Sequence, residues 1–407
     1  MRLLYLLIFI SSSTSALDYD RRLDQIIKVY DLKPDSCHGK DTDANLANIG
    51  ELIFNTDSLS GEKNIGCHSC HLEEFSFADN LPVAIGVGGS GSSTERVLSD
   101  GVLVPRNAFT LKGRGHPGFK SFFWDGKTEF INSTEFTSPF GLIDNGTYNS
   151  TLAVAASLPI IARDEFLGVD GIYSNKMLYQ VDSAYFMDKF NSASEVLNRK
   201  IFHEYDNDLL KIKNEYMKLG VNEIDLADIG NALAEFIKRD FGCIDSKWND
   251  YLSGDLKALS QNQKEGAILF YGAAKCSSCH SGELFSDFNY HSISAPQGSI
   301  GVSPLSQDFG RANITYRNED RYKFRTPPLV FVSSTAPYGH SGQFKSLNDV
   351  VTYHLNPIKF LKDYKWTSDR EMLQFGKVLS SRSDIFGYID INKQEDVNKI
   401  VEFLHAL

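Results

Sequence analysis

The sequence predicts a mainly α-helical protein built from two lobes, with long ordered loops and little β structure. Three observations indicate this architecture. A chain of 407 residues is too long for one ordinary domain and fits two. A Cys-x-x-Cys-His string occurs at Cys67–His71 and again at Cys276–His280, so a similar unit recurs after 209 positions. Long stretches with the alternating pattern of β-strands are scarce.

The first residues carry the pattern of an export signal. Met1 and Arg2 give a short positive start, and residues 3–10 form an apolar stretch too short to span a bilayer. Small residues occupy positions 14–16, where a signal peptidase usually cleaves. We therefore expect residues 1–16 to be a signal peptide and the protein to be periplasmic. An exported protein meets an oxidising environment, in which bare thiols rarely persist.

Amphipathic segments with helical spacing follow in order. Residues 18–32 favour a lead helix, and residues 225–241 favour a longer helix in the middle of the chain. Residues 50–54 and 266–270 each predict a short helix that leads into one Cys-x-x-Cys-His string. The Gly- and Ser-rich residues 86–93 predict a mobile loop and match no phosphate-binding pattern.

The charge balance excludes some partners. A net charge of −11 argues against nucleic acid or an anionic membrane surface as a partner. A partner with a basic surface is favoured instead. No stretch after residue 16 approaches about eighteen uninterrupted apolar residues, so we expect no membrane span in the mature chain.

The Cys-x-x-Cys-His string is the attachment form of c-type haem. Two thiols spaced by two residues can add to the two vinyl groups of one haem, and the next residue then lies beneath the iron as an imidazole ligand. A redox Cys-x-x-Cys pair and a zinc site are the competing interpretations. The adjacent histidine in both copies favours haem. We therefore predict two covalently bound haems c, held by Cys67, Cys70, His71, Cys276, Cys279 and His280.

Two cysteines remain outside these strings. Cys37 and Cys243 could form a disulfide in an exported protein, or could stay as two separate buried thiols. The sequence leaves both alternatives open.

Beyond the two strings, the chain resembles the bacterial di-haem cytochrome c peroxidases and their relative MauG, from about Leu46 to the C-terminus. The segments that carry this resemblance are Arg106–Leu111, Phe123–Gly126, Phe324–Pro327 and Thr335–Gly342. The resemblance implies two cytochrome c-like lobes. One is an N-terminal peroxidatic haem domain at residues 17–225, and the other is a C-terminal electron-transfer haem domain at residues 226–407.

The same resemblance implies ligands for both irons. His71 and His280 match the proximal ligands. The family's second ligand to the C-terminal iron lies fourteen residues after the position of His340, where relatives carry Met or Tyr and this chain has His354. Nitrogen ligation should lower the potential relative to a His/Met iron. Tyr353 is the alternative ligand, because helix register decides which side chain faces the iron.

Other positions match functional residues of the family. Trp124 matches a tryptophan that relays electrons between the haems, and Arg325 matches an arginine at the C-terminal haem. The nearest match to the catalytic glutamate is Glu165, which follows an insertion rich in Asn and Thr, and Glu129 and Glu135 are its alternatives.

A calcium ion between the lobes is a further expectation from the resemblance. Asn107, Thr335 and Pro337 match the positions that hold it, and a side-chain amide with backbone carbonyls suits a hard cation. His340 matches a structural hydrogen-bonding residue near the C-terminal haem. Homodimers are common in the family, so a homodimer is also a candidate assembly.

The N-terminal iron is expected to keep an open or water-bound position. Classical peroxidases close this iron with a histidine about twenty residues after the proximal one, and no histidine occurs here between His71 and His116. The iron would be closed only if His116 reached it. Otherwise His116 and His291 are expected to be packing or surface histidines.

These expectations combine into a peroxidase. Hydrogen peroxide would be reduced to water at the His71 haem, with Glu165 moving the proton and electrons arriving from a small cytochrome c or cupredoxin. One alternative is a MauG-like enzyme that oxidises residues of a partner protein, which the open iron favours. The other is a non-enzymatic di-haem electron-transfer cytochrome, which would need no acid–base group.

Overall fold

The computed structural model describes residues 18–132, 135–139, 141–144, 147–168, 175–298, 307–366, 368–386, 391 and 393–407. The predicted signal peptide lies outside the described residues. The prediction of a mainly α-helical fold with little β structure is confirmed. Among the described residues, no helix is both long enough and apolar enough to cross a membrane.

Helices are the main regular elements of the first half of the chain. They are α1 (residues 18–29), α2 (Ala44–Phe54), α3 (Ser93–Arg96), α4 (Thr151–Ser157), α5 (Lys176–Ser183), α6 (Phe186–His203), α7 (Asn207–Lys218) and α8 (Leu226–Phe241). The predicted lead helix and mid-chain helix are thus α1 and α8. Asp225 caps α8 by accepting a hydrogen bond from the backbone N–H of Asp228, whose side chain accepts one from the N–H of Asp225 in return.

Helices are also the main regular elements of the second half of the chain. They are α9 (Lys247–Leu252), α10 (Gln261–Tyr271), α11 (Ala312–Thr315), α12 (Leu347–Leu355), α13 (Pro357–Leu361), α14 (Asp369–Leu379) and α15 (Gln394–Leu404). The expected short helices at residues 50–54 and 266–270 lie in the C-terminal halves of α2 and α10.

The two lobes repeat one helix crossing. In the first lobe α2 packs on α8, and in the second α10 packs on α15. A Cβ added to Gly50 would lie 2.0 Å from the carbonyl oxygen of Ala232, and one added to Gly266 would lie 1.9 Å from that of Lys399. Glycine therefore permits the same close approach in both lobes, which is the structural form of the repeat seen in the sequence.

Apolar packing crosses the predicted boundary between the two domains. Leu23 of α1 is fully buried in the same cluster as the apolar residues of α10 and α15. The apolar face of α8 packs into the cluster that contains α2 and α6. The boundary at 225/226 stays a prediction.

A four-stranded antiparallel sheet precedes the segment that carries Glu165. Its strands are β1 (Ser121–Phe122), β2 (Thr128–Asn132), β3 (Glu135–Ser138) and β4 (Gly141–Asp144), paired in sequence order. Phe136 anchors the sheet by packing with Tyr148 and Ala153. A second, two-stranded sheet pairs β5 (Tyr290–His291) with β6 (Phe324–Arg325).

The two cysteines left open by the sequence form a disulfide. Cys37 pairs with Cys243, with Cα atoms 4.2 Å apart, and ties the loop before α2 to the segment after α8. Asp35 supports the same junction, because its Oδ2 accepts hydrogen bonds from the backbone N–H groups of Cys37 and Ile244.

The Gly- and Ser-rich loop is anchored by one arginine. The buried Arg96 donates Nε to the carbonyl of Ile85 at 2.6 Å and Nη2 to that of Gly86 at 3.0 Å. The backbone N–H of Val87 donates to the carbonyl of Asp164 at 2.9 Å. Composition predicted a mobile loop, whereas these contacts fix its first part against the rest of the lobe.

Candidate functional site

The second Cys-x-x-Cys-His string lies at the wall of a cavity of about 250 Å³. It follows α10, and the Nδ1 atom of His280 lies 2.9 Å from the carbonyl oxygen of Phe285. A histidine that donates Nδ1–H to a carbonyl presents a neutral Nε2 to a metal. Burial lowers the pKa of His280 to about 4, which keeps the ring in this neutral form. Cys276, Cys279 and His280 all line the cavity.

His354 also lines this cavity, whereas Tyr353 faces elsewhere. The Nδ1 atom of His354 lies 2.7 Å from the carbonyl oxygen of Val350, one turn back in α12, and burial lowers its pKa. Tyr353 is fully buried, and its hydroxyl donates to the carbonyl of Ser294. The register of α12 therefore turns His354 toward the cavity that His280 also lines.

Two buried arginines line the cavity with no ion pair to a carboxylate among the described residues. Arg325 donates Nε to the carbonyl of Phe123 at 2.9 Å, and Arg114 donates Nε to that of Thr110 at 2.9 Å. Burial lowers the pKa of Arg325 to about 10, and burial together with Arg325 lowers that of Arg114. Among the described residues, Nη1 of Arg114 has no hydrogen-bond partner.

Buried cations of this kind require an anion, and a haem carries two propionates. The donor set and the charge of this cavity therefore fit a haem. Arg114 was missed from the sequence, because a single arginine between two glycines carries no recognisable signal.

The three residues matched to a calcium site lie along one part of the same cavity wall. Asn107 donates its side-chain Nδ2 to the carbonyl of Leu81 at 2.7 Å, and its own carbonyl accepts from Nε1 of Trp124 at 3.1 Å. Thr335 and Pro337 line the cavity as well. Asn107, Thr335 and Pro337 therefore bring oxygen atoms of side chains or backbone to this cavity.

His340 and His291 also lie at this cavity. His340 is buried, stacks on Phe324 with ring centroids 3.9 Å apart, and its carbonyl accepts from the N–H of Asn107. His291 lies 2.9 Å from Asp287, and that hydrogen bond raises its pKa to about 9. His291 is therefore a cavity residue as well as a packing one.

The first Cys-x-x-Cys-His string has the same local geometry. It follows α2, and Nδ1 of His71 lies 2.8 Å from the carbonyl oxygen of Phe77. Burial lowers the pKa of His71 to about 4. The rings of Phe54 and Phe109 lie 6.4 Å and 6.1 Å from the His71 ring. Buried thiols, a neutral imidazole and flanking aromatic rings again fit a covalently attached haem.

Glu165 lies beside this first site on a π-helical turn, Arg163–Leu167. Burial raises its pKa, Lys127 lowers it and Asp164 raises it further. The charge of Glu165 in turn raises the pKa of the thiols of Cys67 and Cys70, so its carboxyl group is close to the attachment site.

The two alternative glutamates have other partners. Glu129 forms an ion pair with Arg311 at 2.5 Å and accepts a hydrogen bond from the hydroxyl of Tyr290. Glu135 is exposed on β3 and accepts a hydrogen bond from Asn132.

Two residues near the first site were missed from the sequence. Asp79 is buried, burial raises its pKa to about 7, and its charge raises the pKa of Cys70. Lys127 lies over the ring of Phe123, with Nζ 4.1 Å from the centroid. Neither residue stands in a recognisable motif, so only the fold reveals them.

The side chain of His116 contacts residues outside the attachment string of His71. Its ring packs edge-on against His38, with centroids 4.8 Å apart. Its Nε2 lies 3.4 Å from Asp35 and 3.3 Å from Glu283. The expectation of a packing histidine fits this placement, and these contacts hold His116 in the junction between the lobes.

Trp124 lies where the two lobes meet. It lines the cavity of the second lobe, and its neighbour Phe123 packs against the apolar cores of both lobes. The ring of Phe109 lies 5.9 Å from that of Phe123 and 6.1 Å from that of His71. An aromatic series therefore runs from the first attachment site to the segment that carries Trp124.

The chain is similar to known proteins over most of its length. A family model for di-haem cytochrome c peroxidases matches residues 44–257. The cytochrome c peroxidase Ccp of Escherichia coli is 24% identical over 371 residues, which cover 90% of this chain and 58% of the length of that protein. The methylamine utilization protein MauG of Methylorubrum extorquens is 22% identical over 350 residues, which cover 85% of this chain and 78% of that protein.

A solved structure shows the same fold. The di-haem peroxidase BthA of Burkholderia thailandensis superposes with a TM-score of 0.60 at 19% identity, covering 90% of this chain and 86% of that one.

Proposed function

The chain belongs to the di-haem cytochrome c peroxidase family, and on that premise we propose that it reduces hydrogen peroxide to water. Membership of the family implies two c-type haems. The observation that carries the proposal is a difference between the two attachment sites. Glu165 lies beside the first site, whereas His354 lines the cavity of the second. The first site then reacts, and the second receives electrons from a small cytochrome c or cupredoxin.

Residues of the first lobe supply the acid–base chemistry. A haem bound here supplies an iron at which the O–O bond of peroxide can be cleaved. Glu165 accepts a proton from the proximal oxygen of peroxide and delivers it to the distal oxygen. Burial raises its pKa above that of an exposed glutamate, which makes its carboxylate a stronger base for this transfer. The contact from Val87 to the carbonyl of Asp164 holds the turn that carries Glu165.

Residues of the second lobe serve electron entry. His280 and His354 would hold the haem iron, and Arg325 with Arg114 would balance the propionates. Trp124 is the proposed relay toward the first site. The net charge of −11 would steer a donor that presents a basic face.

Three further parts of the proposal concern the location, a calcium ion and the assembly. The signal pattern at residues 1–16 supports a periplasmic location. The oxygen donors of Asn107, Thr335 and Pro337 support a calcium ion at the edge of the cavity. A homodimer is proposed because homodimers are common in the family.

A resting spectrum and peroxide turnover test the proposal. Electron paramagnetic resonance of the oxidised holoprotein should give one high-spin signal and one low-spin signal of bis-histidine type. Steady-state assays with a reduced cytochrome c should then show peroxide-dependent oxidation of the donor. Two low-spin signals together with no donor oxidation would refute the proposal and favour a non-enzymatic electron-transfer cytochrome.

A second candidate function is oxidation of residues on a partner protein, as in the MauG-like alternative. The absence of any histidine between His71 and His116, with His116 packed against His38, favours an open first site and so this candidate. Slow turnover of peroxide with reduced donors, combined with a stable oxidised state after one equivalent of peroxide, would favour it over the peroxidase.

A further inference from the structure

Two arginines of the second lobe hold four consecutive carbonyls around Trp124. Arg325 donates Nε to the carbonyl of residue 123 at 2.9 Å and its backbone N–H to that of residue 124 at 2.8 Å. Arg311 donates Nη1 to the carbonyls of residues 125 and 126, at 2.9 Å and 2.8 Å. The relay segment of the first lobe is thus fixed by donors that belong to the second lobe.

Arg311 is itself held in place on two sides. Its Nη2 pairs with Glu129 at 2.5 Å, and its guanidinium lies 4.2 Å from the ring centroid of Tyr290. The approach to the chain requires a glycine, because a Cβ on Gly126 would lie 1.6 Å from the Tyr290 hydroxyl and 2.7 Å from Nη1 of Arg311. A guanidinium fork that is oriented in this way loses little entropy in each hydrogen bond.

We infer that Arg311 is a positioning residue for electron transfer between the two haems, acting through the backbone on which Trp124 is mounted. The indole has one hydrogen bond of its own, from Nε1 to the carbonyl of Asn107. Its backbone orientation therefore depends on the arginine contacts on either side. Arg325 is also a cavity residue, so Arg311 is the donor whose role can be separated from haem binding.

This inference rests on the proposed function, because it assumes that electrons pass between the two sites. The step would exchange one electron between the two haems, and no bond would be made or broken. It can be observed without peroxide, by injecting one electron with pulse radiolysis and following the optical equilibration of the two haems.

Arg311→Lys in the holoprotein is the main test. Lysine keeps the charge that pairs with Glu129 but cannot hold two carbonyls with a planar fork. We expect equilibration to slow by about tenfold or more, as misplacement of a relay by a fraction of an ångström would cause. The reduction potentials and the thermal unfolding midpoint should stay unchanged. Ultraviolet resonance Raman difference spectra against Trp124→Phe should show an altered indole signal.

Two control variants separate this role from general stability. Arg321→Lys changes an exposed arginine that stacks on Phe309, and it should equilibrate at the wild-type rate. Tyr290→Phe removes a hydroxyl from the same cluster without removing a carbonyl contact from Arg311, and it should also stay close to wild type. If Arg311→Lys does not accumulate, Arg311→Gln, which also lacks the guanidinium fork, takes its place and should slow equilibration in the same way.

The results distinguish this inference from the proposed function. Wild-type equilibration in Arg311→Lys overturns the inference, and so does an equal slowing in Tyr290→Phe. Slow equilibration in Arg311→Lys with no peroxide turnover in the wild type supports the inference while the peroxidase proposal fails. A wild-type protein in which no electron passes between the haems overturns both.

Discussion

Replacing Glu165 by glutamine should remove most of the peroxide turnover. A positioned acid–base group contributes about 10²- to 10⁴-fold to a proton-transfer step, which corresponds to about 3 to 5 kcal/mol of barrier. Glutamine keeps the size of the side chain and removes only its ability to exchange a proton. Stopped-flow measurement of kcat/KM for peroxide, at saturating reduced donor, checks this. The haem absorption spectrum should remain that of the wild type.

The pH profile of the same rate gives the sharper result. Glu165 must be ionised to accept the peroxide proton, so the rate falls as the pH drops through its pKa, which burial has raised. Lys127 lowers that pKa, and Lys127→Met should therefore move the acidic limb to higher pH. Asp164 raises it, and Asp164→Asn should move the limb to lower pH. In Glu165→Gln this limb should disappear.

Asp79→Asn is the matched control for this assignment. Asp79 is the other buried carboxyl that raises the pKa of Cys70, and its Oδ1 already accepts a hydrogen bond from the N–H of Leu81. We expect this variant to keep its acidic limb. If Glu165→Gln retained wild-type kcat/KM while Asp79→Asn lost it, the reasoning that assigns the proton transfer to Glu165 would be wrong.

Three further predictions concern the second site and the scaffold. His354→Met should raise the midpoint potential of the second haem in spectroelectrochemical titration, because thioether ligation raises it relative to imidazole, and an unchanged potential would argue against ligation. Replacing Cys37 and Cys243 by serine should lower the free energy of unfolding by about 2 to 5 kcal/mol in guanidinium titrations, since the bond closes a long loop. Gly50→Ala and Gly266→Ala should each cost about 1 to 3 kcal/mol in the same titration, by pushing apart helices that touch at those glycines.

The sequence predicted best where local chemistry sets the structure. The two attachment strings, the helices that precede them and the capped α8 all depend on residues that are neighbours along the chain. His354 was expected from its match to a ligand position of the family, and the register of its helix places it, and not Tyr353, on the cavity wall beside His280.

The rest depends on contacts between distant segments. Strands of two to five residues, such as β1 and β2, are too short to show an alternating pattern. The disulfide joins Cys37 to Cys243, which lie 206 positions apart, and sequence spacing cannot show that two such cysteines meet. Arg114 looks like a surface arginine until the fold buries it beside Arg325.

The Gly- and Ser-rich loop shows how composition can conceal a constraint. Small residues predict mobility, yet this loop begins between the attachment thiol of Cys70 and the turn that carries Glu165. The thiol of Cys70 lies 3.9 Å from the carbonyl of Ile85, and two residues later Val87 donates to the carbonyl of Asp164. Arg96 fixes this stretch by binding the carbonyls at its start. In the proposed peroxidase the loop therefore acts as a spacer that sets the separation between the attachment thiols and Glu165, and small residues serve it because they let backbone pack directly on backbone.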